Sequence, residues 1–432
     1  MNPELQRNLW LEFSLHRLIA MPVIILLLAV FVYQVSSDAS ALHNLATAAG
    51  SSAFVLLFLW GPKLAMESVI EEARDRTWDA QRLSSIGPWQ MTWGKLLGAT
   101  SYAWYGGVIC FLIFILAGAG EFQKSPLLAT SLLVFSALFF QAIMLQSGLF
   151  FVKNNQNIRS SVGIIFIVFV MLFVASPISA LLTQSEAISW WSNDYEPLNF
   201  TLASMIFYAA WAVFGCYRTM CEQLQVRTTP WALPAFLSFA AVYLTGFVPY
   251  PNAYISGAGM AFMLTGTLVS LIAAYLLLFF ERTGTITVMR LNMRIKHKQW
   301  LRTIEELPGW PVAAMLALPF SIGAVLLAEN EYRLAPLILV LFLIRDAAIY
   351  HYFSFAKQPK RTELTTLVYL GLLYWLLPAL LNAMDASFLA QLIMPMTSGE
   401  MQFSLFVMLA QGGIASGLAG WRWQTSHGKK IH

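Results

Sequence analysis

The sequence predicts an all-α polytopic membrane protein with about twelve transmembrane helices. Three observations carry that prediction. The 432 residues are 58% hydrophobic and only 11% charged, where a soluble domain is near 25% charged, and the mean hydropathy is +0.64. Apolar runs of about 20 residues, the length a bilayer-crossing helix needs, recur along the whole chain. The charge between them is unevenly shared between alternate loops, as the positive-inside rule requires.

Taken in order, residues 3–17 (PELQRNLWLEFSLHR) place Leu5, Leu9 and Phe13 on one helical face with Trp10 beside them. Glu4, Arg7, Asn8, Glu12 and His16 fall largely opposite. This pattern predicts an amphipathic helix lying on the membrane surface before the chain turns in. Spans are then expected at 18–36, 43–65, 95–118, 126–152, 159–183, 199–221, 231–250, 254–280, 310–328, 334–354, 364–384 and 401–422. The first apolar run lacks a small-residue cleavage site and is followed by further spans, so it reads as a signal anchor.

Twelve spans with both termini inside put 24 of the 26 Lys and Arg in presumed cytoplasmic segments, leaving Lys124 and Arg333 outside. The presumed exterior holds Asp38, Glu121, Glu186, Asp194, Glu196, Glu329, Glu331, Asp385 and Glu400. The net charge of +4 is thereby a matter of topology, and no nucleic-acid partner is expected. Six spans and six suggest two units, 1–224 and 225–432.

The most ordered polar stretch is Glu67 to Ala99, between the second and third spans. Eight formal charges fall within Glu67 to Arg82. A charged helix is expected there, with a break at Ser84-Ser85-Ile86-Gly87. Pro88 then suits the first turn of a new helix, where its missing N–H is no loss. That helix carries Trp89 and Trp93, then Gly94-Lys95-Leu96-Leu97-Gly98, and re-enters the bilayer. In the second unit the matching loop, Glu281 to Gly309, is basic through Arg282, Arg290, Arg294, Lys296, Lys298 and Arg302. It predicts a helix presenting Leu291, Ile295, Trp300, Leu301 and Ile304 to the membrane or a partner. The exterior segment Thr183 to Leu198 carries Trp190, Trp191 and Tyr195 beside acids, which suits an aromatic anchor at the outer interface.

Chemistry of other kinds is missing from the sequence. Gly428-Lys429-Lys430 lacks the upstream glycine and the hydroxyl residue of a P-loop, and there is no HExxH or nucleophile elbow. No catalytic residue, cofactor or metal is expected in this chain. Cys110, Cys216 and Cys221 lack metal-ligand spacing and read as small core residues. No charge is expected near any helix midpoint: Arg345 and Asp346 come nearest, toward the cytoplasmic end of the tenth span, where they pair or snorkel. A path would then be lined by small or weakly polar groups such as Ser51, Ser52, Tyr102, Tyr105, Gln141 and Gln146, favouring an amphiphilic or hydrophobic cargo. Those small residues serve helix packing equally well.

Through Glu72, Arg76, Thr77, Leu83, Ser84, Pro88, Trp89, Gly94, Lys95, Leu96 and Leu97, the first polar loop resembles the coupling region of type-2 ABC transporter permeases, the exporter class. The resemblance covers about the first 220 residues. It implies that the N-terminal helix is an elbow and that the loop is a cytoplasmic coupling helix. It further implies that ATP and magnesium are held by a separate ABC ATPase. Docking would use Glu67, Glu71, Arg74, Arg76, Thr77, Trp78, Leu83, Pro88 and Trp89. A second dock, at Arg290, Arg294, Trp300 and Arg302, follows if the chain is a fused pseudo-dimer rather than half of a homodimer. The exterior segment with Trp190, Trp191 and Tyr195 would form short half-inserted helices gating the outer end. A bacterial inner membrane is the expected location. A facilitator-like secondary carrier and a non-transporting scaffold or assembly factor are the alternatives.

Overall fold

The computed structural model describes residues 2–37, 40–118, 126–153, 187–251, 255–281, 285–329, 331–356, 362–395 and 401–427. The fifth expected span, 159–183, lies outside them. So do Asp38, Glu121, Lys124, Glu186 and Glu400 of the exterior charge reading, and the tail glycine and lysines. Among the described residues the protein is helical except for one two-stranded hairpin. Among those residues, nine helices are long and apolar enough to cross a membrane, or ten if one bent pair is a single span. The chain forms two compact units, Met1–Thr228 and Thr229–His432.

The first unit opens with α1 (Pro3–Glu12). Pro3 starts it, and the Asn2 side chain accepts hydrogen bonds from the backbone N–H groups of Glu4 and Leu5, filling two of the donors every helix start leaves unpaired. Ser14 caps α2 (Leu15–Val35) in the same way through Arg17 N–H. Next comes a single long helix in three parts: α3 (Ala41–Phe54), a π-helical turn at Val55–Trp60, and α4 (Gly61–Arg74). The widened turn is met by a side chain from a neighbouring helix. Gln141 of α8 (Pro126–Lys153), fully buried, donates to the Leu57 carbonyl at 3.3 Å and accepts from Trp104 Nε1 at 2.9 Å.

Two short helices follow α4: α5 (Trp78–Arg82) and α6 (Pro88–Gly98). A 47° bend then leads from α6 into α7 (Ser101–Leu116). The hairpin is β1 (Ile188–Trp190) with β2 (Asn193–Tyr195), antiparallel, and α9 (Pro197–Gln223) closes the unit. Its largest core packs α4, α6, α8 and α9 together around Val69, Trp78, Met91, Leu145 and Met220. Gly106 and Gly107 sit where α7 meets α2 and the π-turn, against Met21 and Leu57, so they serve close packing. Cys110, Cys216 and Cys221 are free and buried, and Cys216 Sγ donates to the Ala142 carbonyl at 2.8 Å.

The second unit contains α10 (Ala232–Thr245), α11 (Ala258–Phe280), α12 (Thr285–Lys296), α13 (Trp300–Glu305), α14 (Gly309–Leu327) and α15 (Ala335–Ser354). The next helix again carries a π-turn: α16 (Thr362–Gly371), the turn Leu372–Leu376, then α17 (Leu377–Ala383). Short α18 (Ser387–Ile393) and long α19 (Met401–His427) complete it. Its core lies between α11, α14 and α15 around Leu271, Ala274, Ala313, Ala317 and Leu343. Small residues at these contacts let the helices approach closely. At fourteen residues, α10 is shorter than the seventh span expected from the sequence.

Candidate functional site

The charged stretch after the second span is not one interfacial helix. Glu67, Glu71, Glu72 and Arg74 continue α4 without interruption. The chain first breaks at Asp75–Thr77, where Arg76 adopts a left-handed φ of 58°, a conformation that is costly for any residue with a Cβ. The short α5 follows. A second break over residues 83–87 ends where Pro88 opens α6 behind Gly87.

What holds this zigzag together is a buried charge cluster centred on Lys95. Lys95 has no exposed surface. Its ammonium group pairs with Glu72 of α4 and, at 3.3 Å, with Glu4 of α1, and it lies 5.4 Å from the Trp78 ring centre on α5. Arg7 reaches Glu72 at 2.5 Å and Glu4 at 3.0 Å, and Gln81 Nε2 donates to Glu72 at 2.7 Å. Asn8 donates to Glu4 and to the Gly94 carbonyl, both at 3.2 Å. Two carboxylates thus meet two cations and two amides, which meets the condition for burying charge.

Helix α1 approaches α6 closely because α6 offers glycines there. A Cβ at Gly94 would stand 2.5 Å from Glu4 Cβ, and one at Gly98 2.7 Å from Asn8 Cβ. The four-residue spacing Gly94-x-x-x-Gly98 is the sequence signal for such a contact, and Glu4 with Asn8 matches it one turn apart on α1. Glu12, at the end of α1, has its carboxyl pKa raised, chiefly by burial. Arg17 lowers it and Glu71 raises it further.

The predicted docking residues divide in two. Leu83, 90% exposed, and Arg74, Arg76, Thr77 and Glu71 lie on the surface. Trp78 does not: it is 4% exposed and packs in the core, its ring centre 5.4 Å from the buried ammonium group. Trp89 is half exposed and edge-on to Trp93 and Tyr217. Pro88 is half-buried, and Glu67 lies 3.6 Å from Lys63.

In the second unit the basic loop is two helices, α12 and α13, rather than one, separated by a turn in which Lys298 has φ 55°. Arg294 pairs with Glu306 at 2.6 Å and Arg290 lies 3.7 Å from it. Arg294 also donates to the Arg302 carbonyl. Trp300, Leu301 and Ile304 are exposed. The exterior aromatics lie on the β1–β2 hairpin, where half-inserted helices were expected. Trp191 and Ser192 turn it with φ of 51° and 60°, and the rings of Trp190 and Tyr195 each lie tilted against Phe200, centres 5.7 Å apart.

Two features escaped the sequence reading. A cavity of about 340 Å³ opens between α2, α3, the first π-turn and α7, lined by Met21, Ile25, Leu45, Ser52, Leu56 and Cys110 among others. Ser51 and Ser52 border it, but their hydroxyls are spent on the carbonyls of Thr47 and Ala48, so its wall is apolar. Second, Arg345 and Asp346 lie about midway along α15 and are 3% and 1% exposed. The expectation that charge is absent from helix midpoints, with this pair near a span end, is corrected. Partners on other helices, Tyr275, Tyr374 and Gln411, make its burial tolerable.

No protein-family model, no curated protein and no solved structure matches this chain. Any function is therefore argued from these sites.

Proposed function

We propose that the chain is the membrane subunit of an ATP-driven exporter of the type-2 ABC class, acting with a separate ATPase that holds ATP and magnesium. In this reading it has twelve spans with both termini cytoplasmic, in a bacterial inner membrane. Helix α1 is the interfacial elbow, and residues 67–90 form the coupling segment. The observation that carries the reading is the Lys95 cluster. It fastens the elbow, the end of the second span, α5 and the start of the bent third span into one body, while Leu83 and Arg76 stand outward on that body. A push delivered at α5 would be transmitted through buried ion pairs, not absorbed by a slack loop.

The second span carries a π-turn halfway along, a local widening often found at functional positions. Motion of α4 would be taken up there, beside the apolar cavity. A cavity of that size and character suits an apolar group, in keeping with an amphiphilic or hydrophobic cargo. A homodimer with two ATPases is the assembly favoured. In a fused pseudo-dimer, α12 and α13 would offer Trp300 and Arg302 to a second ATPase. A facilitator-like secondary carrier is the second reading, favoured by the charged pair at depth in α15.

Co-purification in detergent with a candidate ABC ATPase from the same genome tests the proposal. Stoichiometric binding by the wild type, lost in Leu83→Asp and Arg76→Glu, is the expected result. Absence of any bound ATPase, or binding indifferent to both changes, would overturn it.

A further inference from the structure

The centre around Arg345 is built asymmetrically. Asp346 is amply compensated: Oδ1 accepts from Arg345 Nε at 2.9 Å, and Oδ2 accepts from the phenols of Tyr275 at 2.8 Å and Tyr374 at 2.6 Å. The guanidinium is not. Beyond Asp346 its Nη1 donates to Gln411 Oε1 at 2.8 Å, with the Ile393 carbonyl at 3.5 Å. Its Nη2, buried, has no hydrogen-bond partner among the described residues. The rings of Phe342 and Tyr374 lie 4.8 and 4.9 Å from the guanidinium carbon and cover it without supplying an acceptor.

An arginine presents five N–H donors in a fixed fork, and here the outer pair is left over. A purely structural ion pair is poorly explained by that design, since apolar side chains would hold the helices at least as well. Ionisable groups at membrane depth mark functional positions by default. The π-turn at Leu372–Leu376 adds an independent sign, because Tyr374 belongs to it and such turns cluster at functional sites.

We infer that the Nη2 edge of Arg345 binds an anionic oxygen group, a carboxylate or phosphate, within the second unit. The charge of Asp346 is shared among three donors, while that of the guanidinium is matched by one carboxylate, one amide and a distant carbonyl, so its buried, unpaired edge is positive. Its planar fork fits the two oxygens of either group. The group belongs to a lipid-like amphiphile or to a free anion. This site stands whether or not an ATPase docks on the first unit.

The test is the melting temperature of the full chain in nanodiscs of neutral phosphatidylcholine, titrated with oleate, methyl oleate, acetate or inorganic phosphate. Two variants accompany it. Arg345→Gln with Asp346→Asn removes both charges together and leaves neither buried alone. Gln411→Glu keeps the pair but sets a second carboxylate against Nη1, cancelling the positive charge that draws an anion to Nη2. A saturable rise in the wild type with at least one anion, none with methyl oleate, and loss of the rise in either variant that folds is expected. A rise with oleate alone identifies an amphiphile headgroup, and one with acetate or phosphate a free anion. No rise with any anion, an equal rise with methyl oleate, or a rise retained in a folded variant would overturn the site.

Discussion

Lys95 and Glu72 form an ion pair between the start of the bent span and the end of the second span, and the lysine in it has no exposed surface. Glu4 on α1 shares the same ammonium group. The pair ties together three segments that the hydropathy pattern alone would place as independent neighbours. Removing the lysine leaves Glu4 and Glu72 to share Arg7 alone, so Lys95→Met should cost about 3–5 kcal/mol. Thermal melting in detergent checks this. Combining it with Glu72→Gln should recover part of the loss, because Arg7 still serves Glu4.

The seat of α1 on α6 depends on the absence of two side chains. Gly98→Val puts a branched Cβ into the space of Asn8 and should lift α1 from α6. Limited proteolysis near residues 3–12 should then become faster, with the melting temperature lowered. Unchanged protection would mean that α1 is held by something other than this contact.

Gln141 fills both hydrogen-bonding needs at the π-turn. Gln141→Leu would orphan Trp104 Nε1 and the Leu57 carbonyl, and should cost about 1–3 kcal/mol for the buried groups left unpaired. Chemical or thermal denaturation of the reconstituted protein gives the comparison.

Glu12 supplies a pH dependence. Its carboxyl pKa is raised in the folded protein, mainly by burial. Stability tied to it is therefore complete below the ordinary carboxylate pKa and is lost as pH rises through the raised value. Glu12→Gln mimics the protonated form. It should melt like the wild type in acid and slightly above it at neutral pH. A melting series across that range tests the sign.

Much of this architecture was legible from local signals. Pro88 behind Gly87 opens α6 because proline suits a first helical turn, and the nine described helices long enough to cross a membrane follow apolar runs visible in the sequence. What escaped the reading depends on partners distant in the chain. Trp78, amid charges, looks like a surface contact until Lys95 is placed beneath it. Arg345 and Asp346 look like a span-end pair until Tyr275, Tyr374 and Gln411 converge on them from three other helices. The contact of α1 with α6 did have a local signal, Gly94 and Gly98 four apart, but a glycine spacing names no partner. The hairpin at Ile188–Tyr195 departs from the expected half-inserted helices because Trp191 and Ser192 take left-handed turn conformations, which neither residue type advertises.

The central claim is that force from an ATPase enters at Leu83, the residue that follows α5. It is tested most directly by ATP hydrolysis in nanodiscs holding the chain with a candidate ABC ATPase from the same genome, comparing wild type with Leu83→Asp. Leu83 is 90% exposed, so the variant should melt as the wild type does. The account predicts that the wild type stimulates hydrolysis and that the variant, equally folded, does not. Equal stimulation by both proteins, or none by the wild type, would contradict it.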